Sequence, residues 1–305
     1  MNQHYVSQFY LRKWDIGKLY VYVMQTDESH REYSKILKKS IKHVCSKKDI
    51  YEPKYECIPI VTDQIINGVH LTFPIEKGSF EGEFGKIESV AGKVIDHVLR
   101  VTTRDNLRSA LICGESDKNA IAKYIAMQTL RHPSSLKTAI KDGKELVYKE
   151  MEDCKQNFYG FDSEVLKVLL HAGHDTHLSH AVLKQIPHYS KKIVSEKVFC
   201  FYLGGQFITT EVPVLLSETY SGVIPNIWFP LSPTVGLYLC DKGGDLSIKH
   251  LGNRLAQCSD KIQCVLNYAT TSFAARNKIK LIGSDKKLIF DLWNQYYADK
   301  QQGKV

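Results

Sequence analysis

The chain lacks the features by which a sequence most readily declares its chemistry. No apolar run approaches the roughly 18 residues needed to span a bilayer. The opening MNQHYVSQF has no basic region followed by an apolar stretch, so no secretory leader is read there and a cytoplasmic protein is expected. The 8 cysteines are scattered and no two have CxxC spacing, which argues against a thiol zinc site or a thioredoxin-like motif. Several sit in apolar strings such as VFCFYL and LYLC, where buried, reduced thiols are expected. GxxxxGK[ST], a GxGxxG opening a helix, GxSxG and HExxH are all missing. Their absence speaks against a phosphate loop, a dinucleotide fold, a serine-hydrolase elbow and a zincin helix. Internal repeats and low-complexity segments are missing too.

What is present is a globular composition. With 305 residues, 43% of them apolar and 24% charged, the chain can bury a large core. One globular domain over 1–305 is expected. The net charge of +8 is clustered. Lys35, Lys38, Lys39, Lys42, Lys47 and Lys48 fall within 35–48, and Arg276, Lys278, Lys280, Lys286 and Lys287 within 276–287. Such segments favour a polyanion, nucleic acid first. A solvated lysine face is the bland alternative.

Apolar spacing predicts a helix over residues 5–14, a strand in KLYVYVMQ and a short helix in SIKHVCSK. From Ser79 to Val101 a stripe of Phe80, Phe84, Ile87, Ala91, Val94 and Val98 predicts an amphipathic helix. Ser116 is read as the cap of a second helix that ends before Pro133, and helical composition continues to about residue 186. The texture then changes. EKVFCFYLGGQFITTEVPVLL reads as a hairpin about Gly204-Gly205, and PLSPTVGLYLCDKGGDLSIKHL as a second strand pair. DKIQCVLNYATTSFAARN and KKLIFDLWNQYYADK read as helices flanking the strand KIKLIG. The fold class expected is α+β, mainly helical in the first two-thirds, packed with an antiparallel sheet from the N-terminal strand and the 197–250 region.

Three groups of residues invite chemistry. His171, His174, His177 and His180 recur every third position, but Gly173 and Asp175 predict a helix break that splays them, so no tight metal site is expected there. Glu81 and Glu88 are close to two helical turns apart and project along one line at the edge of the apolar stripe. They suit a general base or a divalent ion, or simply form a solvated helix edge. Gln128 and Arg131 share a face of the following helix. Arg131 could clamp a phosphate or pair with Glu81 or Glu88 in a structural network.

HYVSQFYLRKW is similar to the HxxPxxYLxxF/W opening of the bacterial family of domain of unknown function 4238, at His4, Tyr10, Leu11 and Trp14, with Ser7 where the family has proline. In the family's order follow the Glu81/Glu88 helix, QTLRHP for its QxxRxP, FITTEVPV for its FITSDNPV, then PLSP and the helix around Asn267. Glu211 and Val212 stand where the family has Asp and Asn. The resemblance spans nearly the whole chain and implies a site built from His4, Glu81, Glu88, Gln128, Arg131 and Glu211. In that reading His4 is a general base or metal ligand, Glu81, Glu88 and Glu211 hold Mg²⁺ or Mn²⁺, and Arg131 stabilises a phosphorane. The function expected is a nucleic-acid-directed hydrolase, a nuclease-type effector of bacterial defence or a toxin system with a protein partner of that system. The alternative is a non-catalytic binding or regulatory protein with a buried His–Glu–Arg network. A site requires the six side chains to gather within on the order of 10 Å, in an open cleft, Glu211 being the likeliest to miss.

Overall fold

Strands carrying apolar residues on both faces, and helices with one apolar stripe, sort the chain into an α+β fold. The structure is a computed structural model that describes residues 2–26, 35–48, 50–51, 65–66, 69–70, 79–102, 112–133, 135, 183, 185–216, 226–242 and 255–304. The His171–His180 run, the helices expected between 136 and 182, and residues 243–254 of the second strand pair lie outside these. In chain order come β1 (Asn2–His4), α1 (Gln8–Leu11), β2 (Tyr20–Met24), β3 (Ile36–Ser40), β4 (Ser46–Lys48), β5 (Ile65–Ile66), β6 (Val69–His70), α2 (Ser79–Val101) and α3 (Glu115–Leu130). A helix over 185–196, α4, follows. Then come β7 (Lys197–Leu203), β8 (Thr209–Thr210), β9 (Leu215–Leu216), β10 (Ile227–Pro230), β11 (Val235–Asp241), β12 (Leu255–Gln257), α5 (Asp260–Asn277), β13 (Leu281–Gly283) and α6 (Lys286–Gln301).

The 197–250 region divides between two sheets: among the described strands β8 joins the sheet of the N-terminal strand β2, whereas β7, β9, β10 and β11 form another. A five-stranded sheet has the order β12-β7-β11-β10-β9, and a four-stranded sheet the order β3-β2-β13-β8. The first carries one parallel pair, β12 with β7. Its interior strand β7, KVFCFYL, is apolar on both faces, as suits a strand covered on both sides. Lys197 is buried there and meets Asp241 across the β7–β11 pair at 2.5 Å. On β11, Gly236 is required because a Cβ would lie 1.9 Å from the Trp228 ring.

The hairpin expected at Gly204-Gly205 does not form. β7 pairs with β11, and the chain after Gly205 crosses to the four-stranded sheet as β8. Asn267 on α5 clamps that crossing, accepting from Ile208 N (3.2 Å) and donating to Gln206 O (2.8 Å). The helix expected over 5–14 is shorter: Tyr5 N bonds Cys45 O, Ser7 is extended, and α1 runs only four residues before a 3₁₀ turn at Arg12–Trp14. The expected helix in SIKHVCSK is a 3₁₀ turn at Ile41–His43 leading into β4, with Cys45 left-handed at φ 55°. The cap of α3 is Gly114 rather than Ser116, because Asp117 accepts from the Gly114 amide at 3.1 Å. Ser259 and Asp285 cap α5 and α6.

The aromatic opening is core. Tyr10, Leu11 and Trp14 are fully buried. Tyr10 stacks on Phe229 and donates to Pro230 O at 2.6 Å. Phe9 packs on Tyr124 and over Gly92 of α2. This packing fixes α1 between α2, α3 and β10, and so sets where the preceding residues 3–7 lie. No helix among the described residues is long and apolar enough to cross a membrane.

Candidate functional site

The residues before α1 form the hub of two polar clusters. β1 pairs antiparallel with β4, His4 opposite Ser46, which leaves Tyr5, Val6 and Ser7 to cross over the end of α3. α3 is buried around most of its girth, including Tyr124 and Gln128, so a polar group at its C-terminus has only protein to bond. Arg131 is that group. It is 1% exposed, and its Nε donates to Tyr5 O (2.8 Å), its Nη1 to Glu88 Oε1 (2.6 Å) and its Nη2 to Ser7 Oγ (3.0 Å). The Gln128 amide turns its oxygen to Arg131 Nη2 (2.8 Å) and its nitrogen to Tyr5 O (3.2 Å), the orientation in which both ends are satisfied. Ser7 donates to Glu88 Oε1 (2.9 Å) and shares a 2.8 Å bond with Tyr124 OH. Phe84 lies against the guanidinium at 5.7 Å.

Burial opposes the charge on Arg131, but Tyr51, Glu88 and Tyr124 around it outweigh that cost and raise its pKa further. Glu88 lies at the edge, with 25% of its side chain exposed. Both bonds it accepts fall on Oε1, and among the described residues none reaches Oε2. Glu81, two turns earlier on α2, is half-buried and near enough to Tyr51 to oppose its ionisation.

His4 sits beside this cluster, half-buried, with Gln8 Nε2 at 3.4 Å from Nδ1. Burial lowers its pKa and the Arg131 charge lowers it too. The carbonyls of Ile41 and Lys42 and the Glu88 carboxylate work against that shift without reversing it. The imidazole is therefore neutral at pH 7 and able to accept a proton.

Glu211 belongs to the second cluster, on the other side of Tyr5. The Tyr5 hydroxyl donates to Glu211 Oε2 at 2.8 Å, Lys280 Nζ meets the same oxygen at 2.6 Å, and Lys280 N donates to Oε1 at 3.1 Å. Burial by itself raises the carboxyl pKa, yet the Lys280 charge and these bonds hold it below the ordinary value. His132 packs edge-on against Tyr5, its pKa lowered by burial. Cys45 lies near the same carboxylate, its thiol pushed up by burial. Val212, where the resemblance has asparagine, packs into the core of α5, α6 and β13.

Of the six residues named from the sequence, Glu88, Gln128 and Arg131 therefore share one hydrogen-bonded cluster, with His4 at its edge and Glu81 farther along α2. Tyr5 joins Glu211 to them. The three carboxylates named as metal ligands do not gather on one ion, because Glu211 belongs to the other cluster, with Tyr5 and the Lys280 ammonium on Oε2 and the Lys280 amide on Oε1. Among the described residues no three His, Cys, Asp or Glu side chains group as a metal site. Sequence reading missed Tyr5, Ser7, Tyr124 and Lys280. Ser7 and Tyr5 lay inside the quoted opening motif, so their nearness to His4 was a usable signal; Tyr124, one turn before Gln128, was a weaker one. Nothing in the sequence marked Lys280 beyond its place in a basic segment.

No curated protein and no solved structure matches the chain. The family described as protein of unknown function (DUF4238) matches residues 2–285, spanning every segment of both clusters, and the chain belongs to that family.

Proposed function

We propose that the rim formed by His4 and Glu88 is a hydrolytic centre for phosphodiester bonds of nucleic acid, in a cytoplasmic nuclease-type effector of a defence or toxin system. One observation carries the reading: the His4 imidazole and a Glu88 carboxylate oxygen that no described residue bonds stand at the partly exposed edge of a sealed guanidinium, beside exposed lysines. β4 places Lys47 and Lys48 opposite Gln3 and Asn2, and exposed Lys42 belongs to the turn whose carbonyls face His4. These cations would hold backbone phosphates next to the rim. His4 would take the proton of the attacking water as its oxygen bonds to phosphorus and the bond to the leaving oxygen breaks, and the leaving oxygen would take a proton from the imidazolium or from solvent. Glu88 would orient that water or the imidazole. Arg131 acts through Glu88, as a positioning residue, since its donors are turned inward. No step is assigned to a divalent ion, because the expected carboxylate trio does not fit one.

The test is incubation of purified protein with single- and double-stranded RNA and DNA, in EDTA and with Mg²⁺ or Mn²⁺. Cleavage is expected, falling about 100-fold or more in His4→Ala and also in Glu88→Gln. Intact polymers under every condition would overturn the proposal. A second reading, a non-catalytic binding or regulatory protein, is favoured by the 1% exposure of Arg131 and its wholly internal bonds. Under it the cluster is a clasp that ties residues 5–7 to α2 and α3, and His4→Ala leaves every activity unchanged.

A further inference from the structure

The two basic segments, far apart in sequence, meet in space. β13 lies between β2 and β8, and β2 pairs with β3, so the 276–287 segment and the 35–48 segment share one sheet. At the edge of that sheet Ile36 of β3 lines an open groove together with Lys286, Lys287 and Phe290 of α6. Phe290 is 52% exposed, an unusual position for a large aromatic ring. Lys38, two residues from Ile36, is on the same face of β3, and its Nζ lies 5.1 Å from the centre of the Tyr20 ring. β3 is the outer strand of its sheet and runs directly into the 3₁₀ turn whose carbonyls face His4. Asp285, next to Lys286, caps α6, its Oδ1 accepting from Lys287 N and Leu288 N, and Asp291 follows Phe290.

From these observations we infer that the groove between β3 and α6 seats a single-stranded nucleic acid. A base stacks on Phe290, phosphates meet Lys286, Lys287 and Lys38, and the strand follows β3 toward Lys42 and His4. The extended strand from Ile36 to Ser40 spans about 13 Å before the 3₁₀ turn that carries Lys42, a reach within the few-nucleotide site sizes of single-strand binders. An exposed ring flanked by cations suits a strand whose bases are unstacked, whereas in a duplex no base face is free. A single strand uses both features at once, whereas a duplex meets the cations and leaves the ring without a base to stack on. The inference rests on the nucleic-acid reading of the His4 rim and adds the strandedness and the path of the substrate.

Fluorescence anisotropy with labelled single-stranded and duplex oligonucleotides of RNA and DNA tests it, using the full chain carrying His4→Ala so that binding is read without cutting. Single strands should bind at least tenfold more tightly than duplex. Phe290→Ala should weaken single-strand binding roughly tenfold, in line with the loss of one base–aromatic stack. Lys286→Ala with Lys287→Ala should lower the slope of log affinity against log salt by about 1.4. Unchanged circular dichroism melting of these surface variants keeps the comparison clean. Equal affinity for duplex, indifference to Phe290→Ala, or displacement of the oligonucleotide by polyglutamate at equal charge would overturn the inference, the last pointing to an acidic protein instead. The two proposals fail separately. Binding through Phe290 without cleavage by the unmodified chain sinks the hydrolase alone, and cleavage that ignores Phe290 and both lysines sinks the groove alone.

Discussion

The two polar clusters flanking Tyr5 are built on opposite plans. Around Arg131 the cation is sealed in and its carboxylate partner reaches the surface, with side-chain exposures of 1% and 25%. Around Glu211 the carboxylate is sealed in and the cation reaches out, at 10% for Glu211 and 30% for Lys280. The difference matters because the buried members have different means of escape. A guanidinium cannot release its charge in a protein, so losing its partners leaves a cation in the core. A carboxyl can take up a proton and become neutral. The Arg131 cluster should therefore be the less forgiving of the two.

The largest expected effect follows from removing the shared cation. Arg131→Ala should lower unfolding stability by about 3–5 kcal/mol in urea melts, since it breaks a buried pair and strands the acceptors at Tyr5 and Ser7. A loss below about 1 kcal/mol, with cleavage abolished, would turn the residue from a clasp into part of the chemistry. Glu88→Ala should cost about 3 kcal/mol, with little change between pH 5 and 8, because the guanidinium it leaves behind does not titrate.

Lys280→Met sharpens the contrast. It should cost about 1.5–3 kcal/mol at pH 7, and the gap from the unmodified protein should close in acid as Glu211 picks up a proton. A cost that stays constant from pH 7 to pH 4 would show that the two pairs do not differ as argued. In the unmodified protein the folded pKa of Glu211 lies below 4.5, so its contribution is complete above about pH 4.5 and is lost as pH falls through the folded value. Tyr5→Phe removes a neutral donor to that carboxylate and should cost about 1–2 kcal/mol. The smallest effect is expected from His4→Gln. Burial lowers the His4 pKa from 6.5; the unfolded chain then binds the proton more readily, and stability is lost as pH falls below about 6.5. The variant should lose part of that acid sensitivity while barely changing stability at pH 8, as followed by thermal melts across the pH range.

The same asymmetry explains what could be read from the sequence. α2, α5 and α6 were legible because each repeats apolar residues at helical spacing, and the α+β class followed from where that spacing gives way to runs such as KVFCFYL. Partners chosen by tertiary contacts were not legible. Gly204-Gly205 looks like a hairpin turn, but Asn267, more than fifty residues later, decides that the chain crosses to another sheet. Tyr5 reads as one more helical residue until Cys45 takes its amide and Arg131 its carbonyl. In the candidate site, His4, Glu88, Gln128 and Arg131 were found because charge and motif order mark them. Lys280 was missed because a lysine in a basic segment gives no hint that its ammonium is turned toward a buried carboxylate.

The bond from Tyr5 to Glu211 joins positions 206 residues apart. A ribosome adding about 5–20 residues per second needs roughly 10–40 s to cover that interval. Throughout it the aromatic segment around Tyr5 has been made but its hydroxyl has water rather than Glu211 as acceptor, and Arg131 comes more than a hundred residues after the segment it must hold. The described partners of the Arg131 cluster all lie within the first 131 residues, whereas the other side of Tyr5 waits for Glu211 and then Lys280. A chain terminated between the two would carry His4 and the guanidinium but lack the carboxylate that fastens Tyr5 from the opposite side.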